Sequence, residues 1–396
     1  MTAFNTVYCV IPWYGPEAGG AEYHAHLLCQ TLIKQGVNLE VLTTCGKDVG
    51  ANWYKDAYPA GKTVIESVPV RRFPVRHGRA HRFHALNARL LNNLLLGAGE
   101  AEDFFQNSIN SDELLSFIQT HAASSAFLLM LYQYGTSVLG SRIAPERSFL
   151  LPCFHDEPIA YLPPVRAMFR RVRGILFNTP PEAAIASTLY DLQEPVTEFF
   201  GVGVHEDFTA QPERFLKKYN ITFPYIVCVG RKDAGKNVYY LAHLFSEYIR
   251  DTGSNLHLIC IGPGKLSDIP AHAARHILEL GFIPEQDKRD AFAGAIAVAQ
   301  PSNRESYSMV IMEAWLAGVP ALVNANCAVT RWLTSTANGG LYFQNYYEFR
   351  EALDMVFHEK DLRQKLGAQG KEYITSHYRY DDIASRAVRF IQSRLT

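Results

Sequence analysis

Charge of one sign is what this sequence most lacks: 38 Lys and Arg oppose 39 Asp and Glu, for a formal net charge of −1. A chain so balanced sets up no long-range field for DNA or RNA, which excludes nucleic acid as a partner and leaves any bound anion to locally placed cations. Cysteine is also sparse. The seven cysteines, at 9, 29, 45, 153, 228, 260 and 327, are odd in number, widely spaced and without a Cys-x-x-Cys pair, so they read as small buried hydrophobes of a reducing compartment. No basic-then-apolar leader opens the sequence, and no apolar stretch approaches the roughly 20 residues that span a bilayer. The expectation is a cytoplasmic protein, soluble or peripherally bound to a membrane. Disorder is excluded by composition, since 48% of the residues are hydrophobic and 19% charged.

What is present is length enough for two domains, 396 residues. Residues 6–11 form an apolar run that ends at Pro12 and enters the loop Trp13-Tyr14-Gly15-Pro16-Glu17-Ala18-Gly19-Gly20. Ala21, Ala25, Leu28, Cys29 and Leu32 then recur with helical spacing, Gly36 stands where a left-handed cap would end the helix, and 37–42 reads as a second strand. Strand, Gly-rich loop, helix and strand make a βαβ unit, which implies parallel strands. The same syntax restarts at 224–229, with a polar loop at 230–235, a helix from Asn237 and a strand ending at Gly262-Pro263-Gly264. The stretch 201–212 has the composition of a hinge, and 346–394 is patterned as helix almost throughout. The predicted fold class is therefore α/β, with two Rossmann-like domains of mostly parallel sheet facing a central cleft. The expected boundaries are 1–204 and 205–378, with 379–396 a helix that crosses back to the first domain.

Chemistry concentrates in Pro301-Ser302-Asn303-Arg304-Glu305-Ser306-Tyr307-Ser308, which follows the strand pattern 295–300 and precedes the helical run from Met309. It leaves the carboxyl end of a parallel strand, where open α/β sheets bind ligands. Ser306 and Ser308 suit a helix start, whose free N–H groups form an anion site suited to phosphate. Glu313 falls within an otherwise apolar helix. A carboxylate there is costly unless it accepts hydrogen bonds, and a vicinal sugar diol offers two donors. Taken singly, Arg231, Lys236 or the Gly19–Gly20 pair would be a surface cation or an ordinary turn. Their conjunction, all at strand-to-helix turns, points to one ligand.

Glu305-x7-Glu313 after Pro301–Ser302, continuing through Ala314-Trp315-Leu316-Ala317-Gly318-Val319-Pro320, resembles the carboxyl-terminal signature of glycosyltransferase family 4, retaining enzymes of the GT-B fold. Gly19-Gly20-Ala21-Glu22, Gly230–Arg231 through Lys236–Asn237, and Gly281-Phe282-Ile283 match that family in order and spacing. The resemblance implies a transfer of a hexosyl group from a UDP- or GDP-linked sugar to a glycan or lipid-linked acceptor. It makes Glu313 the holder of the ribose hydroxyls, places Glu305 beside the donor hexose, sets Arg231 and Lys236 on the diphosphate and puts Ile283 near the base. Gly19 and Gly20 would let the first loop approach the phosphates, with Ser306, Tyr307 and Ser308 lining the donor site. His155, after the strand 148–154, would position the donor sugar. Glu22 reads as a first-turn acid that complements its helix dipole.

No Asp-x-Asp occurs, so the metal-chelating device of the other major glycosyltransferase fold is missing, and neither metal nor cofactor is expected. Tyr307 and Ser308 depart from the Phe and Gly common in the family. Two rival readings are a nucleotide-sugar epimerase of the same fold, against which Glu305-x7-Glu313 favours transfer, and a catalytically inactive scaffold subunit, against which retention of Arg231, Lys236, Glu305 and Glu313 together argues. One further run stands apart. No acid occurs between Glu66 and Glu100, where Arg71, Arg72, Arg76, Arg79, Arg82 and Arg89 precede a leucine-rich stretch. It reads as a solvated insertion, or as a basic amphipathic segment for an anionic membrane.

Overall fold

The computed structural model describes residues 4–15, 19–192, 197–204 and 209–395. Loop residues 16–18 and the hinge residues 205–208 lie outside them. The chain divides into two compact units, Met1–Gly203 with Tyr380–Thr396, and Val204–Arg379. Val204 joins the second unit because its N–H donates to the Tyr378 carbonyl and it bridges to Arg379.

Unit 1 is an eight-stranded sheet of β1 (Thr6–Val10), β2 (Leu39–Thr44), β3 (Gly61–Ile65), β4 (Val68–Phe73), β5 (Ser125–Met130), β6 (Ser148–Leu151), β7 (Gly174–Phe177) and β8 (Thr197–Phe199), in the order β3-β4-β2-β1-β5-β6-β7-β8. All pairs are parallel except β3 with β4. Strands β5, β6 and β7 are buried along their whole length, as expected for strands covered on both faces. Helices α1 (Gly20–Lys34), α2 (Ala80–Leu91), α3 (Ala98–Gln106), α4 (Asp112–His121), α5 (Gly135–Gly140), α6 (Pro163–Arg171) and α7 (Pro180–Tyr190) connect them. Gly36 does close α1 in the left-handed region, at φ 84°.

Unit 2 has a six-stranded, wholly parallel sheet: β9 (Tyr225–Val229), β10 (His257–Ile261), β11 (Ile277–Gly281), β12 (Val298–Gln300), β13 (Ala321–Asn324) and β14 (Gly340–Phe343), in the order β11-β10-β9-β12-β13-β14. Its helices are α8 (Pro212–Lys218), α9 (Val238–Thr252), α10 (Ala271–Ala274), α11 (Glu285–Ala293), α12 (Met309–Leu316), α13 (Ala328–Ala337), α14 (Tyr346–His358) and α15 (Lys360–His377). Separate apolar clusters surround Ile226 and Leu258 on one side and Val227 and Ile259 on the other, so the alternate residues of the central strands feed two cores.

The last helix, α16 (Tyr380–Leu395), belongs to unit 1. The Phe390 ring lies 6.0 Å from that of Phe149, and a Cβ on Gly174 would come within 2.6 Å of Phe390. Arg386 donates to the Phe200 carbonyl and Arg173 to that of Arg394. Glycine at 174 is thus the condition for the helix to lie this close.

The arginine-rich run is not one amphipathic segment. Arg71 and Arg72 sit in β4, which pairs with β3 through a turn whose residues Glu66 and Ser67 both have positive φ, and Arg82 and Arg89 lie in α2. Arg71 is paired with Glu40, Arg76 with Asp112, Arg82 with Asp103 and Arg89 with Glu100. Arg72 is buried and donates to the carbonyl of Tyr14 at 2.8 Å. The acids that pair with four of the six arginines come from other parts of unit 1 and Arg72 is buried, so of the run Arg79 is the residue left exposed without a described ion pair, and the local absence of acid does not make a continuous basic face. Among the described residues, no helix is long and apolar enough to cross a membrane.

Replacing Phe390 by Ala removes the ring that seats α16 and should cost unit 1 about 3 kcal/mol, within the range for buried aromatics. Urea unfolding monitored by circular dichroism would read this, and a midpoint equal to that of the unaltered protein would contradict the seating.

Candidate functional site

Strand order reverses between β9 and β12 in unit 2. At such a switch point the loops leaving the two strands turn to opposite faces and open a crevice at their carboxyl ends. Those loops are 230–237 and 301–308, the segments that hold most of the expected donor residues. They are stitched by amides: Asn303 N–H donates to the Gly235 carbonyl, and Asn237 donates its side-chain N–H to the Pro301 carbonyl and Asn303 Oδ1. Asn324, at the end of β13, donates to the same two acceptors.

Within this frame, Lys236 Nζ lies 2.6 Å from Glu305 Oε1, and Gln300 Nε2 donates both to that oxygen and to Ser308 Oγ. The Glu305 side chain is only 9% exposed, so the lysine meets a carboxylate already held in place. Ser308 precedes α12 without capping it, and its hydroxyl is turned to Gln300. The N-terminal N–H groups of α12 are left without a side-chain cap, the arrangement that suits an anion.

Arg231 stands apart from this cluster. Its side chain is 60% exposed and bonded to Asp233, whose other oxygen accepts the Lys236 backbone N–H. Burial would raise the Asp233 carboxyl, but these two donors hold it below its ordinary value. The buried cation of the loop is its neighbour Lys232, with a side chain 0% exposed. Lys232 Nζ donates to the Gly262 carbonyl at 2.7 Å and lies 3.5 Å from Glu279. Gly262 has φ 122°, and a Cβ there would strike the Gly230 carbonyl at 2.3 Å, so the loops after β9 and β10 are locked by a glycine and a lysine. No local signal distinguishes Lys232 from the adjacent Arg231; its partners come from two other strands.

Ser306 and Tyr307 are buried, and the Tyr307 ring packs 5.6 Å from that of Tyr378. The Tyr307 ring therefore fills the interior of unit 2, and its departure from Phe adds a hydroxyl there. Ile283, beyond β11, is buried, while Phe282 beside it is exposed. Glu313 on α12 faces α11, where Lys288 Nζ is 2.7 Å from its Oε2. Burial raises the Glu313 carboxyl, with Lys288 acting in the opposite direction.

In unit 1, strand order reverses between β1 and β5, and Gly19 and Gly20 follow β1 at the start of α1. A Cβ on Gly20 would meet nothing within 4 Å, whereas one on Gly19 would come 2.5 Å from Glu22 Oε2. No described protein atom crowds position 20, so its space is open to a ligand. Glu22 lies in the first turn of α1, and it is also buried and accepts a hydrogen bond from Trp13 Nε1.

His155 follows β6, one strand further from the switch. Its Nδ1 is 3.9 Å from Glu157 Oε1, and Tyr132 donates to the His155 carbonyl. The turn into it is set by Cys153, at φ 50°, and by a carboxylate that the sequence did not signal. Glu182, in the first turn of α7 and fully covered, accepts the backbone N–H groups of Phe154 and Asn178, at the ends of β6 and β7. Burial pushes its carboxyl up to about 8 against the pull of those N–H groups. A Glu three residues after Thr179 looks like a capping acid, and the Thr179 hydroxyl does accept from the Glu182 N–H. Its side chain serves the neighbouring strands instead.

Residues 211–373 match the family described as group 1 glycosyl transferases. A curated relative, an uncharacterized glycosyltransferase of Methanocaldococcus jannaschii, is 25% identical over 170 residues, 41% of this chain and 43% of that protein, so the chain spans less than half the length of the relative it matches. Among solved structures, sucrose-phosphate synthase of Thermosynechococcus elongatus aligns with a TM-score of 0.74 at 12% identity, over 98% of each chain. WaaG, a glycosyltransferase of lipopolysaccharide biosynthesis, aligns at 0.68 and 14% identity over 97% of this chain and 99% of its own. The Anabaena protein HepE, in complex with UDP and glucose, gives 0.68 and 13% over 98% and 99%. These likenesses show the fold, which is GT-B with two Rossmann-like α/β units.

The raised Glu182 carboxyl has a consequence for stability. A group that holds its proton more tightly when folded stabilises fully below its unfolded value, 4.5, and loses that contribution as pH rises through about 8. Unit 1 should therefore melt at progressively lower temperature between those limits, and Glu182→Gln should flatten this part of the profile. Calorimetric melting at a series of pH values checks it; an unchanged slope in the variant would assign the dependence elsewhere.

Proposed function

We propose that the chain is a retaining glycosyltransferase that moves a hexosyl group from a UDP- or GDP-linked sugar to a glycan or lipid-linked acceptor, in polysaccharide or glycoconjugate biosynthesis. Unit 2 takes the donor and unit 1 presents the acceptor. The observation that carries this reading is the Lys236–Glu305 pair, held at the switch point of a unit whose residues match group 1 glycosyl transferases.

Donor departure adds negative charge to the diphosphate, and preorganised cations and amides stabilise such charge where it develops. Lys236 and the amino terminus of α12 meet it directly. Arg231 reaches it by exchanging Asp233 for phosphate, a movement within reach of an exposed side chain. Charge is thus handled without a metal. Glu313 accepts the two ribose hydroxyls, Ile283 lies by the base, and Ser306, Tyr307 and Ser308 support the phosphate loop, while Glu305 sits beside the hexose as its positive charge grows. In unit 1, Gly19 and Gly20 leave room for the phosphates and His155 positions the donor sugar. The bond from the anomeric carbon to phosphate oxygen breaks as the bond to the acceptor oxygen forms on the same face. The leaving phosphate oxygen takes the acceptor's proton, so no separate base is needed.

Titration calorimetry with UDP and GDP tests the donor site. One of the two should bind, and Lys236→Met should weaken it at least tenfold, about 1.4 kcal/mol. Binding of neither nucleotide would sink the reading. A panel of UDP- and GDP-hexoses scored for hydrolysis then identifies the sugar, and His155→Ala should lower kcat at saturating donor.

A further inference from the structure

Glu313 is a carboxylate on a helix whose other residues are apolar, and its side chain is 16% exposed. Such a group needs a partner, since a covered and unpaired charge costs several kcal/mol. Among the described residues one cation supplies it. Lys288, in the middle of α11 and 17% exposed, brings Nζ to 2.7 Å from Glu313 Oε2 and to 2.9 Å from Glu285 Oε2. Arg289 closes the set, 3.5 Å from Glu285 Oε1. The charges acting on Glu313 are those of Lys288, Glu285 and Arg289, all from α11. On the opposite face of α12, α15 packs closely through Gly367 and Gly370, against Gly318 and Trp315.

Lys288 lies close enough to act on Glu313 by charge and as a hydrogen-bond donor, and a carboxylate engaged at one oxygen keeps other lone pairs able to accept. That combination suits a carboxylate kept ready for neutral hydroxyl donors: ionised, held to one side, and still able to accept.

We propose that Lys288 is the positioning residue of the ribose-binding carboxylate, holding Glu313 ionised and aimed before the nucleotide arrives. This rests on the reading of Glu313 as the ribose ligand. Without the ammonium, burial and the Glu285 charge both favour a protonated Glu313, which loses acceptor capacity and binds a diol less well. Raising the pH restores the carboxylate and with it the affinity.

The test uses the full chain and whichever of UDP or GDP it binds, titrated by calorimetry from pH 6.5 to 8.5 with the unaltered protein as reference at each pH, so that ionisation of the nucleotide cancels. Lys288→Met should bind at least tenfold more weakly at pH 6.5, the deficit closing to about threefold at pH 8.5. Lys288→Arg should stay within threefold throughout, which guards against a loss due to misfolding. In a Glu313→Gln background, Lys288→Met should cause no further loss at any pH. A deficit in Lys288→Met that is absent, or constant with pH, overturns the role of Lys288. Glu313→Gln binding as tightly as the unaltered protein overturns the ribose reading instead.

Discussion

The reversal of strand order between β9 and β12 is the constraint on which the candidate donor site depends. It forces two loops apart at the carboxyl ends of adjacent strands, and side-chain amides of Asn237 and Asn324 then hold them at a fixed separation. Lys236 and Glu305 lie 69 residues apart in the chain yet meet at 2.6 Å because of it. Neither side chain could be held alone: a covered carboxylate without a cation is unstable, and a lysine without a fixed partner samples many rotamers. Fold and chemistry are joined here through backbone carbonyls and asparagine amides, more than through the charged residues that draw attention first.

Much of this was legible in the sequence, for identifiable reasons. The apolar runs of β9 and β12 pass directly into polar loops, that of β1 leads into a glycine-containing one, and the spacing of Ala21, Ala25, Leu28 and Leu32 is unambiguous for a helix. Both units therefore declare their βαβ pattern, and the loops holding Lys236 and Glu305 fall at strand ends. The β3–β4 hairpin was not legible, since its turn uses Glu66 and Ser67 at positive φ where glycine or asparagine is usual. Roles set by distant partners were equally hidden. Lys232 and Arg231 are neighbours in sequence, and only the return of Gly262 and Glu279 from other strands makes one a buried brace while the other is an exposed cation paired with Asp233. Glu182 and Glu22 each look like helix-start acids, yet one ties strand ends together and the other bonds a tryptophan.

The arginine run between Glu66 and Glu100 makes the same point about charge. Local composition marks it as strongly basic, but Glu40, Asp103, Asp112 and Glu100 answer Arg71, Arg82, Arg76 and Arg89 one by one. Charge in this segment is thus answered by short-range pairs, and the same pattern recurs at Glu313, Lys288 and Glu285. Electrostatics in this protein is a matter of neighbours, with little field left over at a distance.

Because α16 belongs to unit 1 while unit 2 intervenes, the order in which the chain is made differs from the order in which its units are finished. All the strands of unit 1 leave the ribosome first, yet Phe149, Gly174 and Gly203 wait for residues 380–395 before they are covered. Unit 2 has its entire sequence available by Arg379 and can close while that apolar seat is still bare. The packing of α16 on unit 1 is thus a contact of long sequence separation, made between residues that flank the whole of unit 2.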